Sequence, residues 1–211
     1  EVTMKKEHIR LVDAIFQKYD ICYHMFTGIG TITSDEKRCV KAFLEHLQQQ
    51  GLDEGIAMKM KDESGFCRYA REVKDISAFL SEEIPVYKME AFGGLSQNLE
   101  KARSELQACQ ALHVTNSIED NIEVTQKTAQ KGIALAAFCK EKGIAKEDVL
   151  VIGDSLNDLS MIEEFPNSIA MKNGHSYIQK AAAYISRYTN EEDGVADILE
   201  QLLETLSIQE K

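Results

Sequence analysis

The chain has 211 residues, 44% of them apolar, and a net charge of −11. That is enough chain for one large domain or two small ones of ordinary soluble composition, and no apolar run approaches the roughly 18 residues of a membrane span. The acidic balance repels nucleic acid, and no basic stripe with interleaved aromatics offsets it, while a small anion stays within reach of a local cationic pocket because salt screens distant charge.

Ile9, Val12, Phe16 and Tyr19 follow helical spacing, and Ile21 to Phe26 reads as a strand that ends in a turn at Gly28 and Gly30. Ser34 is placed to cap a helix with Val40, Phe43, Leu44 and Leu47 on one face, stopped by Gly51. Tyr69, Val73, Ile76 and Leu80 mark a further helix, Val86 to Phe92 a strand, and Ser96 opens a helix with Leu99, Ala102, Leu106 and Cys109 inward. Leu112 to Val114 and Ile122 to Thr125 complete a strand-rich first part.

The rhythm changes after residue 126. A helix is expected from Thr128 to Lys142, ending at Gly143, and Val149 to Ile152 is a continuous apolar run suited to a strand covered on both faces. A short helix follows, then a strand at Ser168 to Met171, a helix from Tyr177 to Ala182, a strand at Tyr184 and Ile185, and a final helix carrying Val195, Ile198, Leu202 and Leu206. This alternation predicts an α/β fold with a parallel, doubly wound sheet over residues 119–211, preceded by an α+β domain over residues 1–118. Cys22, Cys39, Cys67, Cys109 and Cys139 are scattered, with no Cys-x-x-Cys, and read as reduced thiols. The five histidines form no close pair, so a zinc site has little support. No apolar leader core follows the first residues, and the expected location is the cytoplasm.

The chemistry concentrates in Val149-Leu150-Val151-Ile152-Gly153-Asp154-Ser155-Leu156-Asn157-Asp158. Two carboxylates lie just past the carboxyl end of a buried strand, where open α/β sheets bind ligands. Mg²⁺ takes carboxylate oxygen and shares its shell with substrate phosphate, so Asp154 is the natural ligand and Asp158 can orient what surrounds it. Asn157 can donate to a phosphate oxygen. The plain alternative is that these Asx residues only cap a helix. Lys131 sits in a first helical turn, where the macrodipole disfavours a cation unless an anion is held there; taken alone it reads as a solvated lysine. His24, inside an apolar strand, reads as a packed core residue before a substrate contact. Gly153-Asp154-Ser155-Leu156 also spells an esterase signature with Ser155 as nucleophile, but no late Asp-x-x-His supplies the base.

Taken together, four segments resemble the Cof-type phosphatases of the haloacid dehalogenase superfamily. They are Gln130–Leu135, Gly153–Met161, Ile169–Gly174 and Thr189–Val195. The resemblance implies a partial Rossmann-like core over residues 119–211 and a substrate-selecting cap over residues 1–118. It implies that Asp154 binds Mg²⁺, that Asp158 supports it, that Lys131 steadies nucleophile and phosphate, and that Asn157 and Asn173 lie near the phosphate. The substrate would be a small phosphorylated metabolite, hydrolysed through an aspartyl-phosphate. One departure stands out: the family's Asp-x-Asp-Gly-Thr loop and its Ser/Thr phosphate motif are absent from these residues. The chain is therefore expected to begin where the cap begins and to be inactive alone. It is also expected to self-associate, or to bind the missing segment, through the sheet edge at Val149–Ile152. The rival reading is a non-catalytic binding module derived from such a protein.

Overall fold

Ile9, Val12, Ile15 and Phe16 share one face of helix α1 (Lys6–Lys18), and all four are buried in the largest apolar cluster of the chain. The computed structural model describes residues 1–49, 51–63, 67–92, 96–116 and 120–209, which divide into two compact units, Glu1–Ala129 and Gln130–Lys211.

The first unit is a six-stranded sheet in the order β3-β2-β1-β4-β6-β5. The strands are β1 (Tyr23–Thr27), β2 (Gly30–Thr33), β3 (Arg71–Glu72), β4 (Val86–Phe92), β5 (Leu112–Thr115) and β6 (Asn121–Gln126). All neighbours are antiparallel except β2 and β3. Alternation along the strands sends Tyr23, Met25, Met89, Ala91, Ile122 and Val124 to one face. There they meet α1, α4 (Ile76–Leu80) and α5 (Ser96–Gln107) through Phe79, Leu80, Leu99, Ala102 and Leu106. A register shift between Phe26 and Thr27 lets Val86 join the same face. The unit also contains α2 (Glu36–Gln49) and α3 (Glu54–Glu63).

The other face is polar. Thr33, His24, Glu90, Glu123 and Thr115 are successive cross-strand partners over five strands, and all are buried. Such a row needs internal partners, because a buried charge without one is costly. Glu90 Oε1 accepts from Asn121 Nδ2 at 2.8 Å, and its Oε2 lies 2.7 Å from Lys88 Nζ and 3.6 Å from His24 Nε2. Lys88 also reaches Glu123 Oε1 at 3.4 Å.

The second unit holds a three-stranded parallel sheet, β7 (Leu150–Gly153), β8 (Asn167–Ala170) and β9 (Tyr184–Ile185), in that order. Helices α7 (Leu159–Glu164) and α8 (Ser176–Ala181) connect the strands, while α6 (Lys131–Lys142) precedes them and α9 (Gly194–Gln209) follows. The core is small: Cys139, Val151, Ile162, Phe165, Ala170 and Ile178. α6 stops at Gly143, whose φ of 70° is the left-handed conformation that suits glycine, and Ile144 N then reaches Cys139 O at 2.9 Å. The α/β alternation expected from the sequence is present.

The two units meet in sequence at 129/130, with β6 burying Ile122 and Val124 in the first sheet; the expected boundary at 118/119 lies within residues 117–119, outside the described residues. Three expectations change. The first strand begins at Tyr23, since Ile21 N is used to close α1 on Phe16 O at 2.8 Å. The helix expected from Tyr69 to Leu80 is split. Arg71–Glu72 pairs with β2, and Asp75 starts α4 by accepting from Ser77 N at 2.9 Å and Ala78 N at 3.2 Å. β7 is not sealed on both faces: Val151 is buried, but Leu150 and Ile152 are half-buried.

Candidate active site

The site is built on the carboxyl ends of β7 and β8, where parallel strands point their last residues into one crevice. Gly153 ends β7. A Cβ there would stand 2.7 Å from Asp158 Cβ, so only glycine lets the Asp158 side chain fold back over the turn. Asp158 Oδ2 accepts from Asp154 N at 3.1 Å and Ser155 N at 3.3 Å, holding the turn closed. Its Oδ1 accepts from Lys131 Nζ. Asp158 is thus buried and fully engaged, at 7% side-chain exposure, while Lys131 keeps 53%.

Asp154, by contrast, is exposed, and its Oδ2 accepts from Ser155 Oγ at 3.3 Å. Its backbone carbonyl accepts from His175 N at 2.7 Å, which seats the loop after β8 against it. Asn173 lies in that loop. Its Oδ1 accepts from Asn190 N at 3.2 Å, so that oxygen ties the loop to the turn at residues 190–192. Asn157 lies between Leu156 and Asp158 in a 3₁₀ turn; its Oδ1 is closed off from solvent without a hydrogen-bond partner among the described residues.

Lys131, Asp154 and Asp158 are therefore brought together by direct hydrogen bonds, and Asn173 joins them through the loop on Asp154. Chemically, the arrangement offers a half-exposed cation to an anion and an outward carboxylate to a hard cation. Asp154 suits one ligand position of Mg²⁺, which is commonly bound by one or two carboxylates plus phosphate and water. Asp158 cannot be a second ligand without giving up its present bonds. Among the described residues no group of three His, Cys, Asp or Glu is gathered around a common point. The residues present thus fit an ion that draws the rest of its shell from elsewhere.

The sequence profile of the haloacid dehalogenase-like hydrolases matches residues 1–199. The chain belongs to this family. Among curated hydrolases of this kind, phosphatase YwpJ of Bacillus subtilis (strain 168) is 34% identical over 188 residues, covering 86% of this chain and 65% of YwpJ. From the same organism, 5-amino-6-(5-phospho-D-ribitylamino)uracil phosphatase YwtE is 35% identical over 118 residues, 56% of this chain and 41% of YwtE. The chain thus spans less than two thirds of these relatives. A solved haloacid dehalogenase-like hydrolase from B. subtilis shares the fold with a TM-score of 0.79 at 24% identity, covering 95% of this chain and 72% of that one.

Two features of this chain escape a reading of its sequence. Gly132 lets α6 close on α7: a Cβ there would meet the Ser160 carbonyl at 2.0 Å, and Gly132 N donates to Ser160 Oγ at 3.0 Å. The Lys131-Gly132 pair was the only available signal. The buried row through His24, Glu90 and Glu123 was hidden because strand alternation does not reveal what covers the second face. His24 is the packed residue its apolar strand suggested, at 1% exposure. Ser155, the residue of the esterase signature, donates to Asp154 rather than to an imidazole.

Proposed function

We propose that the second unit is the metal-binding and phosphate-steadying part of a phosphatase for a small phosphorylated metabolite of the sugar-phosphate kind, and that the first unit is its substrate-selecting cap. One observation carries the reading: buried Asp158 orients both the half-exposed Lys131 ammonium and the turn that presents Asp154. Two similar proteins named as phosphatases, one for a phospho-ribityl compound, agree with that class. Lys131 takes a phosphoryl oxygen while Asp158 fixes its Nζ, and the amides of Asn157 and Asn173 border the phosphate. Asp154 would hold Mg²⁺, which supplies charge neutralisation at the phosphoryl oxygens.

Attack requires an aspartate of an Asp-x-Asp-Gly-Thr loop, a motif that these 211 residues do not contain. The phosphoryl group passes to that aspartate, and water then releases it. The chain alone therefore turns over no phosphate ester. β7 ends the strand order β7-β8-β9, so its outer backbone groups are open among the described residues. An open edge of this kind recruits a strand, from a segment bearing the nucleophile or from a second copy.

The test is a Mg²⁺ and inorganic phosphate titration of the chain followed by amide chemical shifts. Asp154→Ala abolishes the Mg²⁺ response, and Lys131→Ala abolishes the phosphate response while keeping that of Mg²⁺. An unchanged Mg²⁺ titration in Asp154→Ala, or metal-dependent hydrolysis of p-nitrophenyl phosphate by this chain alone, overturns the proposal.

A further inference from the structure

Cys22 immediately precedes β1, and Cys39 lies in the first turns of α2. Ser34 N donates to the Tyr23 carbonyl at 2.9 Å and so folds the start of α2 back over the start of β1. Cys39 Sγ donates to the same carbonyl at 3.5 Å and accepts from Thr33 Oγ1 at 3.2 Å. The two cysteines pack in one buried cluster with Ala42 and Tyr69. Both are free thiols.

A pair of buried thiols is ordinarily inert filler. This pair differs in having an opening. A cleft of 230 Å³ has Cys22 in its wall, with Ser34 and Arg38 beside it. The Arg38 guanidinium is fixed over the cleft by the Asp20 carbonyl at 2.7 Å and the Asp20 carboxylate at 3.1 Å. Neighbouring Cys39 holds the Cys22 thiol below its ordinary pKa, with Arg38 adding to it against burial and Asp35. Cys22, together with burial, pushes the Cys39 thiol up. The cysteine in the cleft wall is thus the better thiolate, and Cys39, which is not part of that wall, keeps its proton.

We propose that Cys22 and Cys39 are a peroxide-oxidisable dithiol, with Cys22 as the attacking sulfur and Cys39 as the resolving one. The Cys22 thiolate attacks a hydroperoxide oxygen. An S–O bond forms, the O–O bond breaks, and the leaving oxygen departs as water or alcohol after taking a proton. The sulfur is oxidised by two electrons to a sulfenic acid, and the peroxide is reduced. Cys39 then attacks that sulfur: an S–S bond forms, the S–O bond breaks, and the hydroxyl leaves as water with the Cys39 proton. The product ties α2 to the start of β1.

The 211-residue chain is exposed to a few equivalents of hydrogen peroxide, alkylated under denaturing conditions and peptide-mapped without reduction. The expected map contains a Cys22–Cys39 cross-linked peptide that dithiothreitol removes, with Cys109 and Cys139 alkylated. In Cys39→Ser, dimedone labels Cys22 at least about ten-fold more than half-exposed Cys109, as a thiolate in an electropositive opening should be. Full alkylation of both Cys22 and Cys39 after peroxide, or a cross-link from either to a different cysteine, overturns the proposal. So does dimedone labelling of Cys109 ahead of Cys22. The wild-type map decides by itself if Cys39→Ser does not fold.

Discussion

The two units handle charge in opposite ways. In the first, Glu90, Glu123 and His24 are buried inside a six-stranded sheet and are tied to Lys88, Asn121 and one another. In the second, Asp154 and half of Lys131 face solvent at the open ends of a three-stranded sheet. A buried ion is expensive to desolvate and persists only when its bonds are complete, so it is committed to structure. An exposed ion keeps its water until a ligand displaces it, so it remains available for chemistry. The cores follow the same division: the first unit has an extensive apolar cluster, while the second has a small one around Phe165.

The largest test of this contrast is in the cores. Phe165 and Phe16 are both nearly inaccessible. Replacing a buried phenylalanine by alanine costs about 3–5 kcal/mol, a large share of the roughly 5–15 kcal/mol that holds a domain together. Phe165→Ala is expected to unfold the second unit while amides at Met89 and Ala91 stay protected from exchange. Phe16→Ala is expected to lower the urea midpoint of the first unit without unfolding it. Simultaneous loss of protection in both units on Phe165→Ala would mean that they fold as one, and the contrast would not hold.

A smaller effect probes the buried charge. Burial raises the Glu90 pKa, but neighbouring His24 and Lys88 overcome it, leaving Glu90 below the ordinary glutamate value. Its folded pKa is depressed, so its contribution is fully present above the ordinary value and is lost as pH falls through the folded one. Glu90→Gln should cost about 1–3 kcal/mol at neutral pH, since Lys88 and His24 lose a charged partner. It should also flatten the loss of first-unit stability below about pH 4.5. Urea midpoints of both proteins from pH 7 to pH 3 measure this, and parallel curves would show that Glu90 is not the group that titrates.

What the sequence disclosed follows from these physical differences. A parallel strand needs a nearly continuous apolar run, so Val149–Ile152 stood out, and with it the carboxylates just beyond its end. The link between Lys131 and Asp158 spans 27 residues and leaves no local trace. α3 was missed because Ile56, Met58 and Met60 face solvent and make no inward stripe. β3 has two residues, too few for any alternation, and Tyr69, Val73 and Ile76 around it imitate helical spacing. Ile122 to Thr125 is legible as the close of the strand-rich first part, where β6 pairs with β4 and β5.

The smallest stability change should come from the residue that matters most to the proposed chemistry. Removing the Lys131 ammonium deletes an ion pair whose cation is half in water, and such pairs are worth about 0–1 kcal/mol. Asp158 would not be stranded, because Asp154 N and Ser155 N still donate to its Oδ2. Lys131→Met keeps the apolar stem against the first turn of α6. Its urea midpoint should lie within about 1 kcal/mol of the parent, and the amide shifts of Asp154 and Ser155 should barely move. Inorganic phosphate binding, measured in the same samples, should be lost. A large destabilisation with phosphate binding retained would make Lys131 a structural partner of Asp158, like the buried ions of the first unit, and would remove the distinction between the two.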